Sequence, residues 1–268
     1  MEIAPDTRMG IVELSVSDLE RSLAYWQDVV GLRVLSREIG TAELGVDTPL
    51  VRFTEEPGAT SAQGYSGLFH VALLVPDRAS LGRFMAHVIR DGIQPTGLSD
   101  HVVSEAIYLR DPDYHGIEIY ADRPREQWEG RVAETMTTIP LDVDSLLAEA
   151  GDAEFDGLPV GTTVGHVHLC VSDVDEMVAF YNGKLGFGIT AYRPGGMAAF
   201  LSAGGYHHHL GSNTWESRGA VHAPEGTARL LRYTIVLPDE EELARVTERM
   251  GGAEVTDPAG NTVVLVAA

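Results

Sequence analysis

The chain is poor in cysteine and in positive charge. Cys170 is its one cysteine among 268 residues, which excludes an intramolecular disulfide and fits a reducing cytoplasm. Only 19 Lys and Arg stand against 40 Asp and Glu, a formal charge of −21. A phosphate backbone or an anionic membrane surface would be repelled, so nucleic acid is excluded as a partner. No stretch approaches the roughly 18 apolar residues that cross a bilayer, and the opening "MEIAPDTRMG" lacks the basic start and apolar run of a secretion signal. A soluble, cytoplasmic protein is expected. With 44% hydrophobic and 22% charged residues, the chain can bury the core of one or two ordinary domains.

One phrase recurs four times: an alternating apolar strand, an Asp, then an amphipathic helix ending near Gly. The copies are "IVELSVSDLERSLAYWQDVVG" from Ile11, "HVALLVPDRASLGRFMAHVIRDG" from His70, "HVHLCVSDVDEMVAFYNGKLG" from His166 and "RYTIVLPDEEELARVTERMGG" from Arg232. Asp18, Asp77, Asp173 and Asp239 each lie seven residues after the first residue quoted, so the copies align without gaps. Each Asp is placed to cap the following helix, accepting from free amides of its first turn. Further strand-like stretches follow each helix, among them "VRFTEE", "EAIYLRDP", "GIEIYA", "AAFLSAG" and "NTVVLVAA". The unit is β-α-β-β-β and the class α+β. Residues 8–122 carry modules one and two, 123–163 form a linker with a short helix around Asp144 to Ala150, and 164–268 carry modules three and four.

This pattern resembles the vicinal oxygen chelate superfamily, which includes glyoxalase I, extradiol ring-cleaving dioxygenases, fosfomycin-resistance enzymes and bleomycin-binding proteins. The resemblance spans essentially the whole chain and implies four modules curled pairwise into two cupped half-barrels. It also implies metal ligands on the first and last strands of paired modules. The first-strand position, a His seven before the Asp, holds Ile11, His70, His166 and Arg232 in the four modules. The last-strand position, a Glu after a "DPDGN"-like turn, is Glu118 in "DPDYHGIEIY" and Val264 in "DPAGNTVVLV". Modules two and three thus retain His70, Glu118 and His166, a two-His, one-carboxylate set suited to Fe(II), with Mn(II) as the alternative. Pairing two with three and one with four completes one site and leaves one cup vacant; assembly across a homodimer is the competing arrangement.

Other residues carry the comparison towards the extradiol enzymes, and in particular towards a catechol 2,3-dioxygenase CatE-like branch. Those enzymes have a Tyr ten residues before the Glu ligand that bonds a substrate hydroxyl, matched here by Tyr108, and a pocket His in a "DH" loop, matched loosely by His101. Their acid–base His stands two residues before an aliphatic one, and in "YHHHL" His208 is two before Leu210. An imidazole suits that work because it titrates near neutral pH. On a strand, alternation would send either His208 or the pair His207 and His209 into the cup. His168, two beyond His166, is a pocket or packing residue; Glu13 is assigned no role. The implied activity is extradiol cleavage of a catechol or related dihydroxylated aromatic by O2. Two rivals are a glyoxalase-type isomerase or lyase using His207 or His209 as a fourth ligand, and a small-molecule-binding resistance protein without metal. A homo-oligomer is compatible with all three.

Overall fold

Each repeat Asp starts a helix. In the computed structural model, which describes residues 2–151 and 153–268, Asp18 Oδ1 accepts from Arg21 N at 3.0 Å and Asp77 Oδ1 from Ser80 N at 2.7 Å. Asp173 Oδ1 accepts from Asp175 N at 2.7 Å, and Asp239 Oδ1 from Glu242 N at 2.8 Å. The helices behind these caps are Leu19–Tyr25, Arg78–Arg90, Val174–Phe180 and Glu240–Met250. In modules one and three a widened π turn, Trp26–Val30 or Tyr181–Leu185, extends the helix to a left-handed glycine, Gly31 or Gly186.

The strands form two large curled sheets, and these do not follow the halves of the sequence. Modules two and three share a sheet of nine strands, eight of their own and one short strand from the segment between them. At the centre, Gly67–Leu74 runs antiparallel to Thr163–Cys170, flanked by Gly116–Asp122 on one side and Leu210–Asn213 on the other. Modules one and four share seven strands, with Arg8–Val16 antiparallel to Leu230–Leu237. One apolar core, which includes Leu14, Trp26, Phe53, Leu73, Phe84, Ile119, Leu169, Phe187 and Leu237, runs between the sheets and their helices. Where the second sheet could have carried ligands it carries ion pairs: Arg52 with Glu13 and Glu43, and Arg232 with Glu13 and Glu254.

The sheets are tied by two matching braces. Asp111, opening the turn between Ser104–Arg110 and Gly116–Asp122, accepts from Asp113 N and His115 N through Oδ1 and from the Trp26 indole at 3.1 Å through Oδ2. Asp257 does the same in module four, accepting from Ala259 N, Asn261 N and the Tyr181 hydroxyl, the last at 2.8 Å. Trp26 and Tyr181 are the first residues of the two π turns.

The segment between modules two and three does more than connect. Its helix, Val143–Ala150, packs on Arg78–Arg90, where Gly82 leaves no room for a Cβ against the Leu146 carbonyl. The short strand Ile139–Pro140 pairs with the edge strand Gly97–Asp100, and Met136, Thr137 and Thr138 reach the cavity of the nine-stranded sheet.

Candidate active site

Sheet register brings His70, Glu118 and His166 together. Glu118 and His166 both lie beside Ala72, one on each neighbouring strand, and His70 is two residues from Ala72 on the same face. Ala72 itself is a bare methyl at the floor, buried with Ala106 and Tyr120. A bulge at Gly165 sets His166 in this row, and only glycine fits it: a Cβ there would lie 1.8 Å from the Tyr120 hydroxyl.

The three donor atoms form a nearly equilateral triangle. His70 Nε2 is 2.9 Å from Glu118 Oε2, His166 Nε2 is 3.1 Å from the same oxygen, and the two nitrogens are 3.3 Å apart. With metal–ligand bonds of about 2.1 Å, three ligands on one octahedral face stand about 3.0 Å apart. Spacing and donor chemistry therefore fit a divalent cation held on one face. Among the described residues no fourth His, Cys, Asp or Glu atom joins this cluster, which counts against the fourth ligand a glyoxalase-type site would take from His207 or His209. Burial pushes both imidazoles below their usual range, against the pull of Glu118. For Glu118, burial opposes ionisation, but the two imidazoles outweigh it and hold the carboxyl well below the ordinary range. The set is thus two neutral imidazoles and a carboxylate, the deprotonated form that metal binding requires.

The cluster opens into a cavity of about 620 Å³. Phe69, Phe200, Met136 and Trp215 supply apolar walls, while Tyr108, His101, His168 and His208 supply polar groups. Tyr108 is the register partner of Glu118 on the adjacent strand. His101 Nδ1 lies 3.0 Å from the Thr137 carbonyl, an obligate acceptor, so Nδ1 carries the proton and Nε2 accepts from the Tyr108 hydroxyl at 2.7 Å. The loop that presents His101 holds Val102 at φ 68°, a costly left-handed conformation for a β-branched residue, steadied by Asp100 Oδ1 accepting from Val102 N at 2.7 Å. Burial first, then the Glu118 charge, raises the Tyr108 phenol well above its usual range, so it keeps the proton it donates to His101 and its oxygen is left as an acceptor towards the cavity. His168 packs tightly over Gly211 between Phe69 and Trp215, accepts from Asn213 Nδ2 at 3.0 Å, and forms part of the wall.

The three histidines of "YHHHL" part company. They precede the strand, which begins at Leu210, so strand alternation does not govern them and that premise of the sequence reading is corrected. The loop backbone is instead fixed by the Thr190 hydroxyl donating to the His207 carbonyl and by His209 N donating to the Leu201 carbonyl. His208 lines the cavity, its ring centroid 4.1 Å from that of His166. His207 turns to Asp122, and His209 accepts from Ala203 N at 3.1 Å through Nδ1. Burial first, then the neighbouring His207, His166 and Arg125, push His209 down to about 3.

The sequence reading missed Asp122, Thr137 and the linker's share of the cavity. Only the Tyr120–Asp122 end of "GIEIYAD" gave a signal, an acidic residue closing a buried strand.

A profile of the Glyoxalase/Bleomycin resistance protein/Dioxygenase superfamily matches residues 8–119 and 163–265. The chain is 45% identical over 256 residues to the catechol-2,3-dioxygenase of Bacillus subtilis (strain 168), covering 92% of this chain and 89% of that protein. Among solved structures it is similar to a provisionally named dioxygenase of Bacillus subtilis (TM-score 0.67, 13% identity, all of this chain and 86% of that one). It is also similar to glyoxalase I of Zea mays (TM-score 0.56, 19% identity, 97% of this chain and 92% of that one). At such identities these two structures speak for the fold alone. With the matched residues lying in all four modules and the B. subtilis relative spanning nearly the whole chain, this protein belongs to the Glyoxalase/Bleomycin resistance protein/Dioxygenase superfamily.

Proposed function

We propose that this protein is an extradiol dioxygenase that cleaves a catechol or related aromatic diol with O2, using Fe(II) held by His70, Glu118 and His166. The observation that carries the reading is the triangle of three buried donors, spaced for one face of an octahedral ion and opening into a largely apolar cavity. Its chemistry is narrowed by the 45% identity to a catechol-2,3-dioxygenase. When bound there, Fe(II) supplies adjacent open positions at which a diol and O2 can meet; Mn(II) would use the same ligands.

The chain's own residues supply the rest. Phe69, Phe200, Met136 and Trp215 exclude water and pack against a flat ring. Tyr108, oriented through His101 by the Thr137 carbonyl, positions a substrate oxygen by hydrogen bonding. His208, on the His166 side of the cavity, takes a phenolic proton at Nε2 and returns it as the ring opens. Burial and the neighbouring histidines keep its pKa well below the usual range, so it waits in the neutral, proton-accepting form.

The test is anaerobic loading with Fe(II), or with Mn(II) in parallel, followed by oxygen-electrode and absorbance measurements on a panel of catechols and hydroquinones. Oxygen uptake with ring-opened product is expected. A metal-loaded protein that consumes no oxygen with any of them refutes the activity, and a His70→Ala variant with full metal content refutes the ligand set.

A further inference from the structure

Behind His208, away from the cavity, lies a chain of hydrogen bonds with no part in metal binding. His208 Nδ1 and His207 Nδ1 are 2.8 Å apart, and His207 Nε2 is 2.9 Å from Asp122 Oδ1. The Tyr206 hydroxyl donates to the same Asp122 oxygen at 3.0 Å, and Tyr120 and Tyr206 share a hydrogen bond of 2.8 Å. Trp128, from the segment between the modules, covers the His207 ring at 5.5 Å between centroids, and Tyr206 stacks on it at 4.0 Å. His166 faces the other side of His207 at 6.2 Å. His207 is fully buried, whereas the Asp122 side chain is 27% exposed.

The direction of these bonds follows from what each atom can do. A carboxylate oxygen only accepts, so His207 carries its proton on Nε2. With His207 in its neutral form Nδ1 is then a lone pair, and the 2.8 Å contact between two ring nitrogens needs one proton between them, which sits on His208 Nδ1. His208 Nε2 is left without a proton, and among the described residues it has no hydrogen-bond partner. We infer that Asp122 and His207 are positioning residues that lock His208 in its Nδ1–H tautomer, so that Nε2 presents a lone pair to the cavity. The inference rests on the reading of His208 as the acid–base group. Without the lock, an imidazole at this place divides between two tautomers, and the Nε2–H form has nothing with which to accept a substrate proton.

The experiment is long-range proton–nitrogen NMR of the full-length protein, labelled with nitrogen-15 histidine and loaded with diamagnetic Zn(II). It is paired with steady-state kinetics of the Fe(II)-loaded protein and its Asp122→Ala and Asp122→Asn variants. His208 should show an unprotonated Nε2 and a protonated Nδ1. Asp122→Ala should move His208 towards the Nε2–H form and lower kcat about a hundredfold, with KM and metal content changed less than about twofold. Asp122→Asn, which keeps an acceptor oxygen, should retain the tautomer and most of kcat. A wild-type His208 protonated on Nε2 overturns the inference, as does an Asp122→Ala protein unchanged in both tautomer and kcat. The wild-type spectrum needs no variant, so a failure of Asp122→Ala to fold leaves the question decidable. Absence of oxygen uptake by the wild type would remove the ring-cleavage reading while the spectrum still decided the tautomer.

Discussion

His209 should make the protein acid-sensitive by an amount that the structure sets. Its Nδ1 accepts from Ala203 N, and its enclosed ring is pushed down to about 3, against about 6.5 for a histidine in the unfolded chain. The folded pKa is depressed, so the unfolded state binds the proton first. Stability is whole above about pH 6.5 and drains away as pH falls towards 3, at about 1.4 kcal/mol per unit. At pH 5.0 the loss assigned to His209 is about 2 kcal/mol, a ceiling because part of the residue reaches solvent. His209→Gln keeps an acceptor and cannot titrate. Urea unfolding of the metal-free wild type and variant at pH 7.5 and 5.0 separates this residue from the other buried histidines, which both proteins retain. The wild type should lose up to about 2 kcal/mol more than the variant between the two pH values. Equal losses in the two proteins would refute the argument.

Two further outcomes follow from close packing around the ligands. Ala72→Leu fills the floor between Glu118 and His166, so metal content by elemental analysis should fall steeply while far-ultraviolet circular dichroism is unchanged; full metal content would contradict the row geometry. Gly165→Ala puts a methyl against the Tyr120 hydroxyl and should cost about 1–3 kcal/mol in urea unfolding, with metal affinity reduced because His166 is the next residue.

The sequence disclosed what is local and what is repeated. The seven-residue offset located the four caps because an N-cap is a short-range device, and the same alignment singled out His70, Glu118 and His166. Their distribution over modules two and three also pointed to the pairing seen in the sheets, since only that pairing joins them in one chain. The phase of "YHHHL" was illegible because it assumed a strand where a loop is held by Thr190 and Leu201. The Asp122–His207 contact was illegible for another reason: the partners are 85 positions apart in the chain, and no local pattern encodes which side chains a strand end and a distant loop bring together. His101 and Tyr108 were each visible, but their bond depends on the Thr137 carbonyl, from a stretch with no periodicity.

The Trp26–Asp111 brace gives the ligand-free first module a reason to persist. Asp111 fixes the turn between the strand of Tyr108 and the strand of Glu118, so a module that lost its own histidine still governs the reach between two residues of its neighbour's site. Duplication here reads as division of labour: one copy keeps the chemistry, the other keeps it in alignment. Mutational drift should then be lopsided, with the ion-paired face around Glu13 and Arg52 free to be rewritten while Trp26, far from any substrate, is as intolerant of change as a ligand.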